Sequence, residues 1–289
     1  MLILACGPLG NPGDTTDRVK IALQSAPFIA AEDSRKLSRL AHDLGVTYTA
    51  KVISYFEGNE SERIDQLTQI LLTGADLLVI TDAGAPGISD PGYRLIRRAI
   101  ELGVPIQVLP GPSAVTTALL LSGLATDRFC FEGFSPRTSG TRKSWYQKLL
   151  TEERTIIFFE APHRLQDSLI DAQGIFGPDR TAAICREMTK SYEETVRGTL
   201  SELLSWSTGR EILGEITIVI EGFDSRSQSF TAQELVVLVL AREAAGESRK
   251  DAISSLAKEL DLPKRVVFDA MVGNKTQLNK VNKLDKIVQ

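Results

Sequence analysis

The first 112 residues alternate short apolar runs with helical patterns, and this alternation limits the fold more than any other feature of the chain. "LILAC" (2–6), "FIAA" (28–31), "KVISY" (51–55), "LLVIT" (77–81) and "PIQVLP" (105–110) are short and rich in branched or aromatic residues, which predicts strands. Helical patterns fill 15–25, 34–44, 60–73 and 92–102, with Asp14 or Thr15 available to cap the first and Asn59 or Ser61 the third. Strands that alternate with helices build a mostly parallel sheet covered on both faces, so this part is α/β.

A helix over 113–123 leads into a second set of strands, "FCFEGF" (129–134), "RTIIFFEA" (154–161), "TAAICREM" (181–188), "EETVRG" (193–198) and "EITIVIEG" (215–222). Helices near 141–151, 163–174 and 199–206 separate some of them. The fourth strand follows the third too closely for a crossover, so this sheet contains antiparallel pairs. "FDSRSQSFT" (223–231) reads as a polar linker, and helices over 232–244, 248–260 and 263–272 follow it. Ala252, Ile253, Leu256, Ala257 and Leu260 share one face, a Leu-Pro turn follows, and Val266, Val267 and Ala270 resume the pattern. That pattern fits a helix-turn-helix or a plain helical bundle. The expected organisation is an α/β domain over 1–112, a second over 113–223, and a small helical domain over 231–275.

Four loops follow apolar strands directly: "CGPLGNPGD" (6–14), "AEDSRK" (31–36), "TDAGAPGISDPG" (81–92) and "PGPSAVTTA" (110–118). In parallel sheets, ligands bind outside the carboxyl ends of the strands, so four such loops predict one site. The spacing is not that of the dinucleotide fingerprint, and no Gly-Lys-Ser/Thr phosphate loop is present. Glycine in the third loop permits positive φ and close approach, and its N–H groups are candidates to bind a ligand. Cys6, Cys130 and Cys185 are far apart in apolar runs, which predicts reduced thiols of a cytoplasmic protein rather than disulfides. With two distant histidines and no paired cysteines, no metal site is expected. No apolar run reaches the ~20 residues of a membrane span. A net charge of −4 argues against a uniformly basic nucleic-acid binder, but leaves room for a local basic face.

The segments "GPLGNPGDTT", "AAEDSRK", "SYFEGNESER", "TDAGAPGISDPGYRL", "PGPSA", "SGLATDRFCFEGFSPR", "FFEAPHRL", "REMTKSYEETVRG" and "GEITIVIEG" occur in this order. Together they resemble the tetrapyrrole-methylase superfamily, and more closely its ribosomal RNA branch, the 16S rRNA (cytidine-2′-O)-methyltransferases. The resemblance covers about residues 1–222 and a helical tail; "CGPLG" stands where that branch usually has "TPIGN". It implies two α/β domains holding S-adenosylmethionine between them, a homodimer, and small-subunit ribosomal RNA as partner. Carried onto this chain, it implies a cofactor site of Pro8, Gly84, Ala85, Pro86, Ile88, Ser113, Ala114, Glu160, Ala161, Glu215 and Ile216.

The implied reaction is displacement of methyl from a sulfonium by a ribose 2′ oxygen, whose proton must be removed with assistance. Glu32, Asp33, Arg35, Asp82, Asp90 and Glu160 are candidate groups, and Arg186, Glu187 and Lys190 in "REMTK" are the preferred ones. Asp82 and Asp33 have capping alternatives and Arg186–Glu187 an ion-pair alternative; His163 in "EAPHRL" is a candidate base or RNA contact, with a helix-terminal structural hydrogen bond as its alternative. For RNA, "RTSGTRKSWYQK" (137–148) offers Arg137, Arg142 and Lys143 without an acid, with Trp145 and Tyr146 for stacking. The alternative is a solvated loop entering a helix with Trp145 in the core. The tail from Lys264 is a second basic patch. Two rival functions remain at this point: methylation of a small tetrapyrrole, and a non-catalytic ribosome-assembly factor.

Overall fold

The structure is a computed structural model of the 289-residue chain, and describes residues 1–224, 232–260 and 262–273. Met1–Gly222 forms one compact unit and the chain from Phe223 a second.

In the first unit, β1 (Leu2–Ala5), β2 (Phe28–Ala31), β3 (Lys51–Ser54), β4 (Leu77–Ile80) and β5 (Ile106–Leu109) form a sheet in the order β3-β2-β4-β1-β5. Every pairing in it is parallel. The helices α1 (Asp17–Ser25), α2 (Ser34–Asp43), α3 (Glu60–Leu72) and α4 (Tyr93–Glu101) are its crossovers. All four residues of β1 and of β4 are buried, as central strands covered on both faces must be. One face packs Ile3, Ile29, Leu78 and Ile80 on Val19, Leu23 and Leu37; the other packs Leu77 and Val79 on Leu67, Leu71 and Leu95. Because the strands are parallel, the four loops of interest leave from one edge.

The helix starts rest on local chemistry. The cap of α1 is Thr16, whose side chain accepts from the Val19 N–H, rather than Asp14 or Thr15. Asp33 caps α2 by accepting from the Arg35 N–H. Asn59 stands at the cap of α3, but its Oδ1 accepts from the Phe56 N–H instead of from the helix.

The helix α5 (Ala114–Ser122) follows β5 and packs Val115, Ala118 and Leu119 against Ile157, Cys185 and Val219 of the second sheet. That sheet joins β6 (Phe129–Phe134), β7 (Thr155–Glu160), β8 (Thr181–Arg186), β9 (Glu194–Thr199) and β10 (Ile216–Ile220) in the order β6-β7-β10-β8-β9. Only β6–β7 is parallel; the remaining pairs are antiparallel. Ile216 pairs with Glu160 on one side and Arg186 on the other, so the start of β10 and the ends of β7 and β8 share an edge. The helices α6 (Ser139–Leu149), α7 (Leu165–Phe176) and α8 (Leu200–Ser207) cover the face that α5 leaves open, with Tyr146, Phe158 and Leu203 at the core.

The second unit holds α9 (Ala232–Ala244), α10 (Arg249–Glu259) and helical residues 264–273. They bury Leu235, Val239, Ile253, Leu256, Val267 and Met271 together. Most of the expected linker, and the basic tail beyond 273, lie outside the described residues. The three cysteines are buried free thiols. Among the described residues no helix is long and apolar enough to cross a membrane.

Candidate active site

The glycine-rich loop between β4 and α4 is shaped by its own backbone. Gly84 has φ +68° and pairs with Gly7, exchanging hydrogen bonds of 2.8 and 3.2 Å, so the loops after β1 and β4 are stitched together. Gly92 has φ +141°, which L side chains rarely adopt, and a Cβ there would crowd the Gly87 nitrogen at 3.1 Å. The Gly92 N–H donates to the Glu60 carboxylate at 3.0 Å, and the Gly87 N–H to the Pro91 carbonyl at 3.1 Å. The expectation that these N–H groups await a ligand is therefore corrected: those of Gly84, Gly87, Ile88 and Gly92 are used within the protein. Excluding side chains lets the loop fold flat and form a wall.

That wall faces a cavity of about 350 Å³. Gly84, Ala85, Ile88, Ser89 and Asp90 line it from the loop after β4, and Ser113, Ala114 and Val115 from the start of α5. The second sheet contributes Phe134, Phe159, Glu160, Ala161 and Pro162 from the ends of β6 and β7, Met188 after β8, and Gly214 to Thr217 at the start of β10. Nine of the eleven residues expected at a cofactor site are in this lining: Gly84, Ala85, Ile88, Ser113, Ala114, Glu160, Ala161, Glu215 and Ile216. Pro86 is buried behind it, and Pro8 lines a smaller cavity of about 60 Å³ with Glu32, Asp33, Lys36 and Asp82. Phe134 and Gly214 escaped sequence reasoning, because each sits at a strand end whose partner edge is set only by sheet pairing.

Glu160 is a brace. Arg164 pairs with its Oε1 at 2.8 Å, the Ala161 N–H donates to the same oxygen at 2.8 Å, and Ser135 donates to Oε2. The preferred catalytic trio does not line the cavity. Arg186 pairs with Glu194 at 2.9 Å and donates to the Leu213 carbonyl at 3.1 Å. Lys190 lies between Glu187 and Glu215, at 2.9 Å from each. Burial works to raise the Glu187 carboxyl, but the Lys190 ammonium and the Glu215 N–H outweigh it and hold it below the usual range. Burial works to lower the Lys190 ammonium, but the Glu187 and Glu215 carboxylates outweigh it and hold it above its usual value. Glu187 and Thr189 adopt positive φ, and the Asn11 N–H donates to Thr189 at 3.2 Å, so this turn clamps the β1 loop to the second sheet. The side chains of all three are held in ion pairs beside the cavity.

Acidic groups gather beside the loop after β4. Asp82 pairs with Lys36 at 2.8 Å and accepts from the Asp33 N–H at 3.2 Å. Glu32 accepts from the Asp82 N–H at 3.1 Å, and burial pushes its carboxyl up. Asp33 is tied to Arg35, whose guanidinium holds it far below the carboxylate range. Asp90 is half-buried; loss of solvent first, and then the Glu32, Asp82 and Glu215 charges, push it up to about 7 against a hydrogen bond from Thr81.

The basic stretch divides. Arg137 is exposed three residues beyond Phe134, and the side chain of Lys143 is 53% exposed. Arg142 corrects the expectation of a phosphate contact: it is 2% exposed, and its guanidinium binds the buried Asp171 at 2.6 and 2.8 Å. The periodicity hid this acid, which lies on α7. Tyr146 is fully buried against Phe158 and bonds Ser168 at 2.7 Å, and Trp145 packs on the same core, so neither ring is offered to a base. His163 is exposed in the short turn before α7.

Known proteins resemble this chain in sequence and in fold. Residues 1–204 match the family of tetrapyrrole (corrin/porphyrin) methylases. The protein named "Ribosomal RNA small subunit methyltransferase I" from Mycobacterium tuberculosis is 44% identical over 277 residues, 96% of each chain. The protein of that name from Bacillus subtilis is 36% identical over 278 residues, 93% of each chain. In fold, the uroporphyrin-III C-methyl transferase from Thermus thermophilus, complexed with S-adenyl homocysteine, is similar with a TM-score of 0.53 and 18% identity, over 75% of this chain and 95% of that one. A match that runs through both sheets, with relatives aligned over almost the whole chain, makes this protein a member of the tetrapyrrole methylase family.

Proposed function

We propose that the protein transfers the methyl group of S-adenosylmethionine to the ribose 2′ oxygen of a cytidine in the decoding region of small-subunit (16S) ribosomal RNA. The observation that carries the reading is the cavity: its walls combine nine residues expected at a cofactor site, in a chain 44% identical to a protein named for ribosomal RNA methylation. A space of about 350 Å³ is the size of a small-molecule site. Ala85, Ser113 and Ala114 leave room for a backbone-lined grip, and Phe159, Met188 and Ile216 offer apolar surface. These residues fit S-adenosylmethionine. The N–H groups opening α5 suit a carboxylate, as helix starts do.

When bound, the cofactor supplies an electrophilic methyl on a sulfonium. The chain's own part is to orient the reacting groups and exclude water, since alignment lowers much of such a barrier. The bonds to Glu160 from Arg164, Ser135 and the Ala161 N–H fix one wall, and the Lys190 bridge fixes the facing edge. Arg137, three residues beyond Phe134, and Lys143, whose ammonium also lies 3.4 Å from Asp171, are the cations offered to phosphates. A homodimer in the cytoplasm completes the proposal.

Labelled S-adenosylmethionine offered with small ribosomal subunits, naked ribosomal RNA or a tetrapyrrole tests it. Label in a cytidine ribose of the small-subunit RNA is expected. Label in the tetrapyrrole alone favours the small-molecule reading, and label in neither leaves an assembly role.

A further inference from the structure

Three carboxylates line the larger cavity: Asp90, Glu160 and Glu215. Two of them are committed. Glu160 is held by Arg164, Ser135 and the Ala161 N–H, and its side chain has no solvent exposure. Glu215 points outward, 70% exposed, with the Lys190 ammonium at 2.9 Å. Asp90 differs. The cations of its surroundings belong to other acids: Lys36 to Asp82, and Lys190 to Glu187 and Glu215. Beside it, the neutral Thr81 hydroxyl favours the charged form while donating to the Ala83 carbonyl at 3.3 Å. Across the cavity mouth, a Cβ on Gly133 would stand 3.8 Å from the Ser89 Oγ, so the Ser89–Asp90 turn meets the end of β6. The next residue of β6, Phe134, is exposed and braced edge-on by Phe159 at 5.3 Å between ring centroids. An exposed aromatic face is what a splayed nucleotide base stacks on.

We infer that Asp90 is the catalytic base of the proposed reaction, taking the ribose proton at the lip where its turn meets the end of β6. The inference rests on the methyl-transfer reading above. The proton leaving the 2′ hydroxyl goes to an Oδ of Asp90. The electron pair of the broken O–H bond stays on the ribose oxygen and forms the new O–C bond. The pair of the breaking C–S bond remains on sulfur. Charge balances, since the carboxylate becomes neutral as the sulfonium does. A base works best when its pKa lies near the working pH. Burial, with Glu32 from the loop after β2, Asp82 from the same loop and Glu215 beside β10 around it, sets Asp90 at about 7. Lys36 and Lys190 temper those last two acids.

The test compares the full-length wild type with Asp90→Asn. The first readout needs no turnover: carbon-13 signals of labelled aspartate, followed against pH in the free protein, should show one carboxyl titrating near 7 that is missing from the variant. Affinity for S-adenosylhomocysteine, by calorimetry, should stay within about threefold, which also reports an intact fold. Single-turnover transfer to small subunits should drop by ~100-fold or more. The wild-type rate should rise with pH through about 7, while the residual rate of the variant is flat. Transfer in the variant within threefold of wild type overturns the inference alone, as does the absence of a carboxyl titrating near 7. Loss of S-adenosylhomocysteine binding in the variant overturns it too, by making Asp90 a structural residue. No ribose label with wild-type protein overturns the methyl-transfer reading, and the inference with it.

Discussion

Removing Arg142 should destabilise the protein rather than alter its phosphate contacts with RNA. Its guanidinium and the Asp171 carboxylate are almost wholly buried, with side-chain exposures of 2% and 5%, and join α6 to α7 through contacts of 2.6 and 2.8 Å. The same guanidinium caps the chain before α6 by donating to the Pro136 carbonyl at 3.3 Å. In Arg142→Ala, Asp171 keeps the Ser139 hydroxyl at 2.9 Å and the Lys143 ammonium at 3.4 Å, but is deprived of its main partner inside the protein. Breaking a buried pair from one side costs about 3–5 kcal/mol, and the two surviving partners place this case at about 3. For a unit the size of Met1–Gly222, about 3 kcal/mol lowers the melting temperature by roughly 6–12 °C. Replacing both partners, Arg142→Met with Asp171→Leu, should recover most of that stability, because neither charge is then buried alone. Thermal melting by circular dichroism reads the stability, and RNA binding at several salt concentrations reads the phosphate interactions. A single variant that melts within 2 °C of wild type while flattening the salt dependence would refute the reasoning.

Neutralising the exposed pair, Arg137→Ala with Lys143→Ala, should instead leave melting nearly unchanged and reduce the salt slope of RNA binding by ~0.7 for each phosphate left without its cation, as filter binding would show. Gly84→Val places a branched side chain at φ +68°, 3.8 Å from the Leu9 Cδ2; calorimetry should find S-adenosylmethionine binding at least tenfold weaker in a folded protein, and undiminished affinity would remove Gly84 from the site. Asp90→Asn has a signed effect on stability. A carboxyl raised from 3.8 to about 7 on folding favours the folded state fully below pH 4, and that advantage fades as pH rises through 7. The variant should therefore be the more stable protein at pH 8, by at most ~4 kcal/mol and by about 2 after solvent screening of a half-buried group. Equal urea midpoints at pH 8 would count against the shift. Sedimentation at micromolar concentration should find twice the chain mass of 31.6 kDa if the protein is a dimer.

Local pattern determined a large part of this molecule. The alternation of strands and helices in the first 112 residues sufficed for a parallel sheet, because covering both faces leaves no other arrangement for such short apolar runs. The tight spacing of "TAAICREM" and "EETVRG" likewise forced the antiparallel β8–β9 pair, since no crossover fits between them. Loops that follow parallel strands had to meet at one edge, which is why Gly84, Ala85, Ser113 and Ala114 were legible as one site. What each charge does was decided only by tertiary structure. Arg142 looks free in its own stretch, and Asp171, far away on α7, buries it. Arg186, Glu187 and Lys190 read as reactive groups in the sequence, and only sheet pairing shows that Glu194 and Glu215 stand against them. Asp90 shows the reverse: it is one acid in a turn until folding brings Glu32 and Glu215 near and gives the available cations to others. Backbone periodicity is a property of neighbours in sequence, whereas the state of a charge depends on solvent exclusion and on partners that only the fold supplies.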